Sequence, residues 1–295
     1  MTQVTLDELN AMDTVGFTAM LNDVFEHSPW VAEAVAEQRP FADLAALHDA
    51  MTKAVRAAAP ERQLALIKSH PDLAGKAARA DTLTADSSAE QASAGLDQLS
   101  AEEFETFHHL NDTYRGRFGF PFIICVRRHT RSSILRQFER RLEHDPDVER
   151  EAALAEIFRI AALRLDQRVA APDRLKVHGR LSTHVLDTTR GRPAAGIAVA
   201  LLELSQAGEQ RPILRMTTNA DGRTDVPLIA GRPVPIGTYE LQFAVGAYFA
   251  RERTEAADPP FLDLVPIRFS VAEPEGHYHV PLLVSPWSYS TYRGS

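Results

Sequence analysis

A histidine set between a serine and a proline is the first residue whose position suggests chemistry. In the stretch "KSHPDLAGK", residues 68–76, Pro71 disfavours helical backbone at His70 and can itself begin a helix, so we expect a break between two helices with Asp72 and Leu73 opening the second. An imidazole fixed at such a junction can transfer a proton to a bound substrate. The alternative is a histidine that only hydrogen-bonds to the backbone of a turn.

Further imidazoles lie in two segments that alternate like β-strands. The stretch "LKVHGRLSTHVLDTTRGRP", residues 175–193, places His184 on the same face as His178, and "HYHVPLLVS" places His277 and His279 together on one face. These side chains could simply be solvated. Zinc binding by His184, His277 and His279 is a further alternative, but these motifs offer no carboxylate or thiol as a fourth ligand, so we expect no metal.

The elements that must position the first histidine are helices. Ser100 and Glu103 form a predicted capping box, which opens a helix with aromatic and leucine residues at three- and four-residue intervals. Another helix is predicted over residues 147–167, with Ile157 on its buried side. Arg164 faces the interior edge of that helix. Its stem can pack on the core while its head reaches solvent, or its head can face a ligand.

Composition divides the chain into a helical half and a β half. Of the 295 residues, the first 172 are alanine-rich and carry 19 Lys and Arg against 27 Asp and Glu, whereas the remainder carries 13 of each and 11 of the 18 prolines. The segments "GIAVALLEL" and "TYELQFAV" lie between turns rich in Gly and Pro, as strands of an antiparallel sandwich do. We therefore predict a multidomain protein with an all-α domain over residues 1–172 and an all-β domain over residues 173–295.

Several classes of function are disfavoured. A chain with a net charge of −8 and no basic stripe is a poor nucleic-acid binder. No run approaches about 18 apolar residues, and the first residues lack a signal-peptide pattern, so we expect no membrane association, no secretion and a cytoplasmic location. The single Cys125 lies in "FPFIICV", where we expect a buried inert thiol, and we assign it no chemistry.

Three spaced motifs of the helical half carry a family resemblance. They are "HPDLAGK", "SSAEQASAGL" at residues 87–96 and "LNDTYRGRFGFPFII" at residues 110–124. Together they resemble the 2-oxo-4-hydroxy-4-carboxy-5-ureidoimidazoline (OHCU) decarboxylases, an all-helical, cofactor-free family of purine catabolism, across roughly residues 5–170. The resemblance implies that His70 is the acid–base group and that Glu90 and Arg164 orient the substrate. It also implies a pocket lined by Pro71, Ser87, Gln91, Phe120, Pro121, Phe122, Ile123 and Ile124. Asp86 stands where the family pattern has Glu, a change that should shift only the start of a helix.

The chemistry that this resemblance implies suits the residues. Loss of CO2 leaves electron density that the substrate's own imine and urea groups can delocalise, so we expect no cofactor. Arg164 can hold a carboxylate or carbonyl, Glu90 can accept a hydrogen bond from a hydroxyl or ureido N–H, and His70 can deliver a proton to one face. Delivery from one side would give a single enantiomer of allantoin.

The β half resembles a second family through "LSTHVLDTTRGRPAAGI", "TTNADGRTD" and the terminal "YSTYRGS". These segments resemble 5-hydroxyisourate hydrolase, the enzyme branch of the transthyretin-like family, over about residues 176–295. The resemblance implies a site lined by His184, Arg223, His277, His279, Tyr292 and Ser295. One histidine would take a proton from water, Arg223 would stabilise the oxyanion and a second imidazole would protonate the departing nitrogen, with Ser295 as a hydrogen-bonding wall. The stretch between Asn219 and His277 is longer than this resemblance leads us to expect.

The two resemblances describe consecutive reactions, because hydrolysis of 5-hydroxyisourate gives OHCU. They imply one chain with these two small-molecule substrates. They also imply a homo-oligomer, with a tetramer formed through the β domain and dimer contacts through the α domain. Two alternatives stay open: a transthyretin-like carrier of a small molecule with a helical accessory domain, and a chain in which one domain is degenerate and only scaffolds the other.

Overall fold

The computed structural model describes residues 3–74, 84–252 and 258–294, which form two compact units. The first unit comprises Met1–Arg127 and Ser133–Val177, and the second comprises Arg128–Ser132 and His178–Ser295. The predicted boundary between residues 172 and 173 falls shortly before the division at Val177. Helices build the first unit and strands dominate the second, which confirms the predicted fold class.

Five of the described helices in the first half begin after a residue whose side chain accepts a hydrogen bond from the first turn, namely Thr5, Asp13, Asp43, Thr84 and Ser100. In chain order the helices are Leu6–Ala11, Thr14–Leu21, Trp30–Val35, Leu44–Ala57, Pro60–Lys68, Ala85–Ser93, Ala101–Phe118, Arg131–Leu142 and Pro146–Arg168, with 3₁₀ turns at Ala36–Gln38 and Val126–Arg128. The predicted capping box is present, since the Ser100 hydroxyl accepts from the Glu103 amide and the Glu103 carboxylate accepts from the Ser100 amide. That helix ends at Gly119, whose φ of 75° is a left-handed conformation open to glycine.

The helix Pro146–Arg168 runs through the core of the first unit and confirms the helix predicted over residues 147–167. Ala153, Ile157, Ala161 and Leu165 recur at every fourth residue along it and are fully buried. A helix buried over so much of its surface can hold a charged side chain only if that side chain is paired. Arg164 therefore needs partners in the interior rather than in solvent.

The segment after Lys68 departs from the sequence prediction. The helix Pro60–Lys68 ends before His70, as predicted, but Pro71 and Asp72 have no regular structure and Leu73 and Ala74 lie in a turn, so no second helix begins at Asp72. The remainder of the predicted second helix lies outside the described residues. His70 thus sits at the end of one helix and at the start of an irregular loop.

The second unit contains two β-sheets that share one core. Its strands are β3 Gly179–Asp187, β4 Arg192–Pro193, β5 Ala198–Leu204, β6 Gln210–Thr217, β7 Ile229–Arg232, β8 Gly237–Ala244, β9 Leu264–Val271, β10 His277–Val284 and β11 Tyr289–Ser290, while β1 Val4–Thr5 and β2 Val169–Ala170 form a short parallel pair in the first unit. One sheet has the order β11-β10-β3-β4, with β7 also pairing with β3, and the other has the order β6-β5-β8-β9. Apolar side chains of both sheets, such as Val185 and Leu241, belong to the same buried cluster.

Strands β3 and β10 form a parallel pair within an otherwise antiparallel arrangement of the two sheets. Their register places His279 beside Ser182, His277 beside Arg180, and Pro281 beside His184. Because side chains at paired positions of neighbouring strands project from the same face, this pairing gathers the histidines of both segments. Within the described ranges, no helix combines the length and apolarity needed to cross a bilayer.

Candidate active sites

The His70 side chain is oriented by the last turn of the helix before it. Its Nδ1 lies 3.0 Å from the carbonyl oxygen of Leu66, and because a carbonyl only accepts, Nδ1 carries the proton. The other ring nitrogen, Nε2, is buried and has no hydrogen-bond partner among the described residues. An unsatisfied buried nitrogen is costly, so this atom is available to a ligand.

The protonation state of His70 follows from its burial. Burial lowers the pKa of His70 to about 4, although the nearby Glu26 carboxylate and the Leu66 carbonyl act in the opposite direction. The imidazole is therefore neutral at pH 7, with a lone pair on Nε2. Such a group must take up a proton before it can deliver one, which adds a step to the role that the resemblance implied.

The Arg164 guanidinium is held by carboxylates along two of its edges. Its Nε and Nη2 donate to Glu90 Oε1 and Oε2 at 2.8 and 2.9 Å, and its Nη1 donates to Glu26 Oε2 at 2.7 Å and to the Asp23 carbonyl at 3.0 Å. Burial alone would lower the pKa of Arg164, but the hydrogen bonds and charges of Glu90 and Glu26 raise it above its ordinary value. The sequence did not decide whether the Arg164 head group faces solvent or a ligand; in the structure it is buried and paired with carboxylates.

Glu26 is a member of this cluster that sequence reasoning missed. Its Oε1 accepts from the hydroxyls of Thr84 at 2.7 Å and Ser87 at 3.1 Å, while Oε2 accepts from Arg164. Burial would raise the pKa of Glu26, but the Arg164 charge and these hydrogen bonds hold it below its ordinary value. A sequence signal existed, since Glu26 follows the apolar pair Val24 and Phe25.

Amide side chains hold the loop that carries His70. The Oε1 atom of Gln91 accepts from the Ala74 amide at 2.9 Å, and its Nε2 donates to the Asp72 carbonyl at 3.3 Å. From the helix Ala101–Phe118, Asn111 donates to the Leu73 carbonyl at 2.8 Å. Gln91 therefore fixes the loop as well as bordering the pocket.

A pocket opens over these groups, and most of the residues implied by the resemblance line it. The lining residues are His70, Pro71, Leu73, Ser87, Glu90, Gln91, Phe122, Ile123, Ile124, Val126, Ile160 and Arg164. Phe120 and Pro121 are buried but are not among them. Asp86, the departure from the family pattern, lies in the first turn of Ala85–Ser93 and pairs with Arg168.

The apolar wall of this pocket is anchored by two buried charged residues. Arg141 donates from Nη1 to the Ile123 carbonyl at 2.7 Å, and Glu156 accepts from the Cys125 amide at 2.9 Å. Arg141 is paired with Glu149, which is fully buried and also accepts from Tyr114. The wall therefore has a fixed backbone on which Phe122 can face the pocket.

The second cluster lies in the β unit, on strands β3 and β10. The Nδ1 atom of His279 is 3.0 Å from the Ser182 hydroxyl, while Nε2 of His184 is buried and has no hydrogen-bond partner among the described residues. Burial and the Arg223 charge lower the pKa of both imidazoles, and His277 and Arg180 act on His279 in the same direction. Both rings are therefore mostly neutral at pH 7. With Arg180 and Arg223 so close, the cluster suits an anion better than a zinc ion.

A tight turn brings Arg223 to His184. Residues 184 and 223 are paired as an antiparallel bridge. The preceding residue must be glycine because the two backbones approach closely there: a Cβ at Gly222 would lie 2.3 Å from the Val185 carbonyl oxygen. The Asn219 side chain accepts from the Arg223 amide at 3.2 Å and closes the turn. The exposed Arg223 side chain thus starts from a fixed backbone beside the histidine.

The C-terminal segment reaches the same strand. The Gly294 amide donates to the His279 carbonyl at 2.9 Å, and a Cβ at Gly294 would lie 2.8 Å from the His279 ring. His277 and Tyr292 are on the exposed surface, and Ser295 lies outside the described residues. Arg180, which strand alternation already placed on the face of His184 without assigning it a role, lies beside His277 in the register.

Comparisons with known proteins match the two halves separately. A family model described as OHCU decarboxylase matches residues 10–166, and one described as HIUase/Transthyretin family matches residues 181–294. The chain is 43% identical over 171 residues to the 2-oxo-4-hydroxy-4-carboxy-5-ureidoimidazoline decarboxylase of Haloferax volcanii, covering 58% of this chain and 99% of that protein. It is 56% identical over 119 residues to the 5-hydroxyisourate hydrolase of Deinococcus radiodurans, covering 40% of this chain and 98% of that protein. A solved structure of (S)-allantoin synthase aligns with 99% of this chain and 100% of its own at 35% identity and a TM-score of 0.52.

Proposed function

Because the chain belongs to the OHCU decarboxylase family through residues 10–166 and to the HIUase/Transthyretin family through residues 181–294, we propose that it catalyses two consecutive steps of urate degradation. The β unit hydrolyses 5-hydroxyisourate to OHCU, and the helical unit decarboxylates OHCU to allantoin. The observation that supports this best is that each candidate site contains a buried imidazole nitrogen, at His70 and at His184, that has no hydrogen-bond partner in the described part of the chain.

For hydrolysis, we assign the base to His184. Its neutral ring can take a proton from the attacking water through Nε2, and Arg223 can stabilise the charge that develops on the carbonyl oxygen. As the ring C–N bond breaks, the departing nitrogen needs a proton. His279, oriented by the Ser182 hydroxyl, is placed to supply it after its neutral ring has taken up a proton from solvent. A protein that only carries a small molecule does not need an acid, a base and an oxyanion-stabilising arginine, so these residues favour the hydrolase over the carrier alternative.

For decarboxylation, His70 acts first as a base. When the bond to the carboxylate breaks, its electron pair flows towards the neighbouring C=N bond, whose nitrogen takes a proton from solvent. The hydroxyl on the same carbon must then lose its proton to become a carbonyl. Nε2 of His70 can take that proton and return it to the adjacent carbon from the same side. Return from one face gives one enantiomer of allantoin.

Substrate orientation in this site falls to Arg164 and Glu90. Arg164 presents a planar cation, and Glu90 can exchange its hydrogen bonds with Arg164 for bonds to a substrate hydroxyl or N–H. The apolar wall at Phe122 limits access of water, which favours departure of CO2 as a neutral molecule.

Each activity can be tested on its own substrate. Purified protein is supplied with either 5-hydroxyisourate or OHCU, and the products are identified by NMR against spontaneous decay. We expect both substrates to be consumed faster than in buffer, with OHCU as the intermediate of the first. Consumption of only one would support the alternative in which the other domain is degenerate.

Assembly through the β unit is also proposed. Trp287, Tyr289 and Tyr292, in the segment that follows β10, are each about half exposed, and a second copy could cover them. We propose a tetramer through the β domain and dimer contacts through the α domain, measured by light scattering of the wild type and of Trp287→Ala. The cytoplasmic location remains a prediction from the sequence.

A further inference from the structure

Glu26 occupies a position that the substrate does not need to reach. The side chains of Glu26 and Arg164 are each 2% exposed, whereas that of Glu90, on the other edge of the same guanidinium, is 13% exposed. Glu26 does not line the pocket, and Glu90 does. The two carboxylates that neutralise Arg164 are therefore unequal, because one is enclosed and the other borders the space where substrate binds.

The enclosed carboxylate is also the better anchored. Hydroxyls of Thr84 and Ser87 donate to one of its oxygens, and Arg164 donates to the other. Releasing Arg164 from Glu26 would leave a buried charge without compensation, which is far more costly than releasing a partly exposed one. Exchange of partners during binding is therefore expected at Glu90 and not at Glu26.

The backbone of Glu26 reaches the other half of the site. Its carbonyl oxygen lies 2.8 Å from the hydroxyl of Ser69, which directly precedes His70 and shares its single proton between this carbonyl and that of Leu66 at 2.7 Å. Residue 26 is thus bonded through its side chain to the arginine and through its main chain to the residue beside the base. A shift at Glu26 would change the distance between the proton acceptor and the cation.

We propose that Glu26 is a positioning residue of the decarboxylase site. It is the counter-ion of Arg164 that stays in place during binding and keeps Arg164 at a fixed distance from His70, while Glu90 leaves Arg164 to bind the substrate. This inference rests on the proposed decarboxylase function and assigns to Glu26 a role distinct from that of Glu90. Without the Glu26 charge, Arg164 would bind Glu90 more tightly. Glu90 would then be released from Arg164 in a smaller fraction of the enzyme–substrate complexes, so kcat would fall more than KM changes.

The test compares Glu26→Gln with Asp166→Asn in the full chain. Asp166 is a matched control, since its buried carboxylate lies on the same helix as Arg164, pairs with Arg174 and does not line the pocket. We expect Glu26→Gln to lower kcat for OHCU by about tenfold or more with KM changed less than about threefold, the pattern of an interaction needed after binding. Asp166→Asn should leave both constants within about twofold of wild type, whatever it does to stability.

Two further readouts separate positioning from mere stability. Glu26→Asp keeps the charge and should recover part of the kcat that Glu26→Gln loses. Because the Glu26 charge favours protonated His70, its removal should also move the acidic limb of the kcat/KM profile to lower pH, with Arg164 and His27 still facing the ring. Far-ultraviolet circular dichroism of the same preparation reports that the helical unit of each variant is folded, because hydrolysis of 5-hydroxyisourate reports only on the other unit.

The outcomes are distinct. If Glu26→Gln does not fold, Glu26→Asp is the decisive variant: its shorter side chain keeps the charge but displaces the carboxylate, so kcat should still fall below wild type, and normal kcat overturns the proposal. Equal kcat losses in Glu26→Gln and Asp166→Asn, or wild-type kcat in Glu26→Gln, also overturn it. If the wild-type chain itself fails to decarboxylate OHCU, the proposed function is what has failed.

Discussion

Replacing His70 by asparagine removes the proton acceptor while keeping a side chain of similar polarity in the buried position. Loss of an acid–base group in such a site lowers the rate by about 10²–10⁴-fold. We therefore expect His70→Asn to slow decarboxylation of OHCU by at least about a hundredfold. Hydrolysis of 5-hydroxyisourate should continue at the wild-type rate, because its candidate residues lie in the other unit.

The same substitution should also change how stability depends on pH. The pKa of His70 is about 4 in the folded protein and near its ordinary value of 6.5 when unfolded, so between these values the unfolded chain binds the extra proton. The contribution of His70 to the free energy of unfolding is therefore greatest above about pH 6.5, and it falls by about 3 kcal/mol in total as the pH is lowered. His70→Asn should lose less stability than wild type between pH 7 and pH 4.

The assays are circular dichroism of the allantoin formed and denaturant unfolding at several pH values. Slow formation of racemic allantoin by His70→Asn, with ring opening intact, would agree with proton return by His70. Optically active allantoin formed at the wild-type rate would refute this reasoning. Identical pH dependence of stability in the two proteins would show that His70 is not held in its neutral form.

Other residues give equally specific expectations. His184→Ala or Arg223→Ala should slow ring opening by about a hundredfold, measured by absorbance, while OHCU supplied directly is still decarboxylated; near-normal ring opening would mean that these roles are wrong. Gly294→Ala should also slow ring opening, by about tenfold or more, because its Cβ would meet the His279 ring, and unchanged kinetics would place that ring outside the site. Glu149→Ala should lower the free energy of unfolding by about 3–5 kcal/mol in denaturant titrations, since it leaves buried Arg141 without its counter-ion, and a loss below about 1 kcal/mol would contradict this pairing. Treatment with a chelator should change neither rate, and inhibition reversed by added metal would argue against the cofactor-free account.

Local signals in the sequence were sufficient for the main elements. The capping box at Ser100 and Glu103, and the four-residue repeat around Ile157, are short-range patterns that determine helices directly. Alternation likewise predicted β3 and β10. Their parallel pairing could not be deduced, because it depends on how distant strands meet within the fold.

The candidate sites were less accessible to sequence reasoning. His70 and Arg164 could be named from the resemblance, but the neutral state of His70 depends on burial that only the folded chain provides. Glu26 lies 138 residues from Arg164 in sequence, and only the register of β3 with β10 places Arg180 beside His277. Such partners are set by tertiary contacts and leave little periodic signal.

The most direct test of two activities in one chain is to mix the protein with freshly prepared 5-hydroxyisourate and to follow absorbance and circular dichroism together. The account predicts rapid loss of 5-hydroxyisourate, transient OHCU, and allantoin with a circular dichroism signal of one sign. Accumulation of OHCU that then decays at its spontaneous rate to optically inactive allantoin would contradict it.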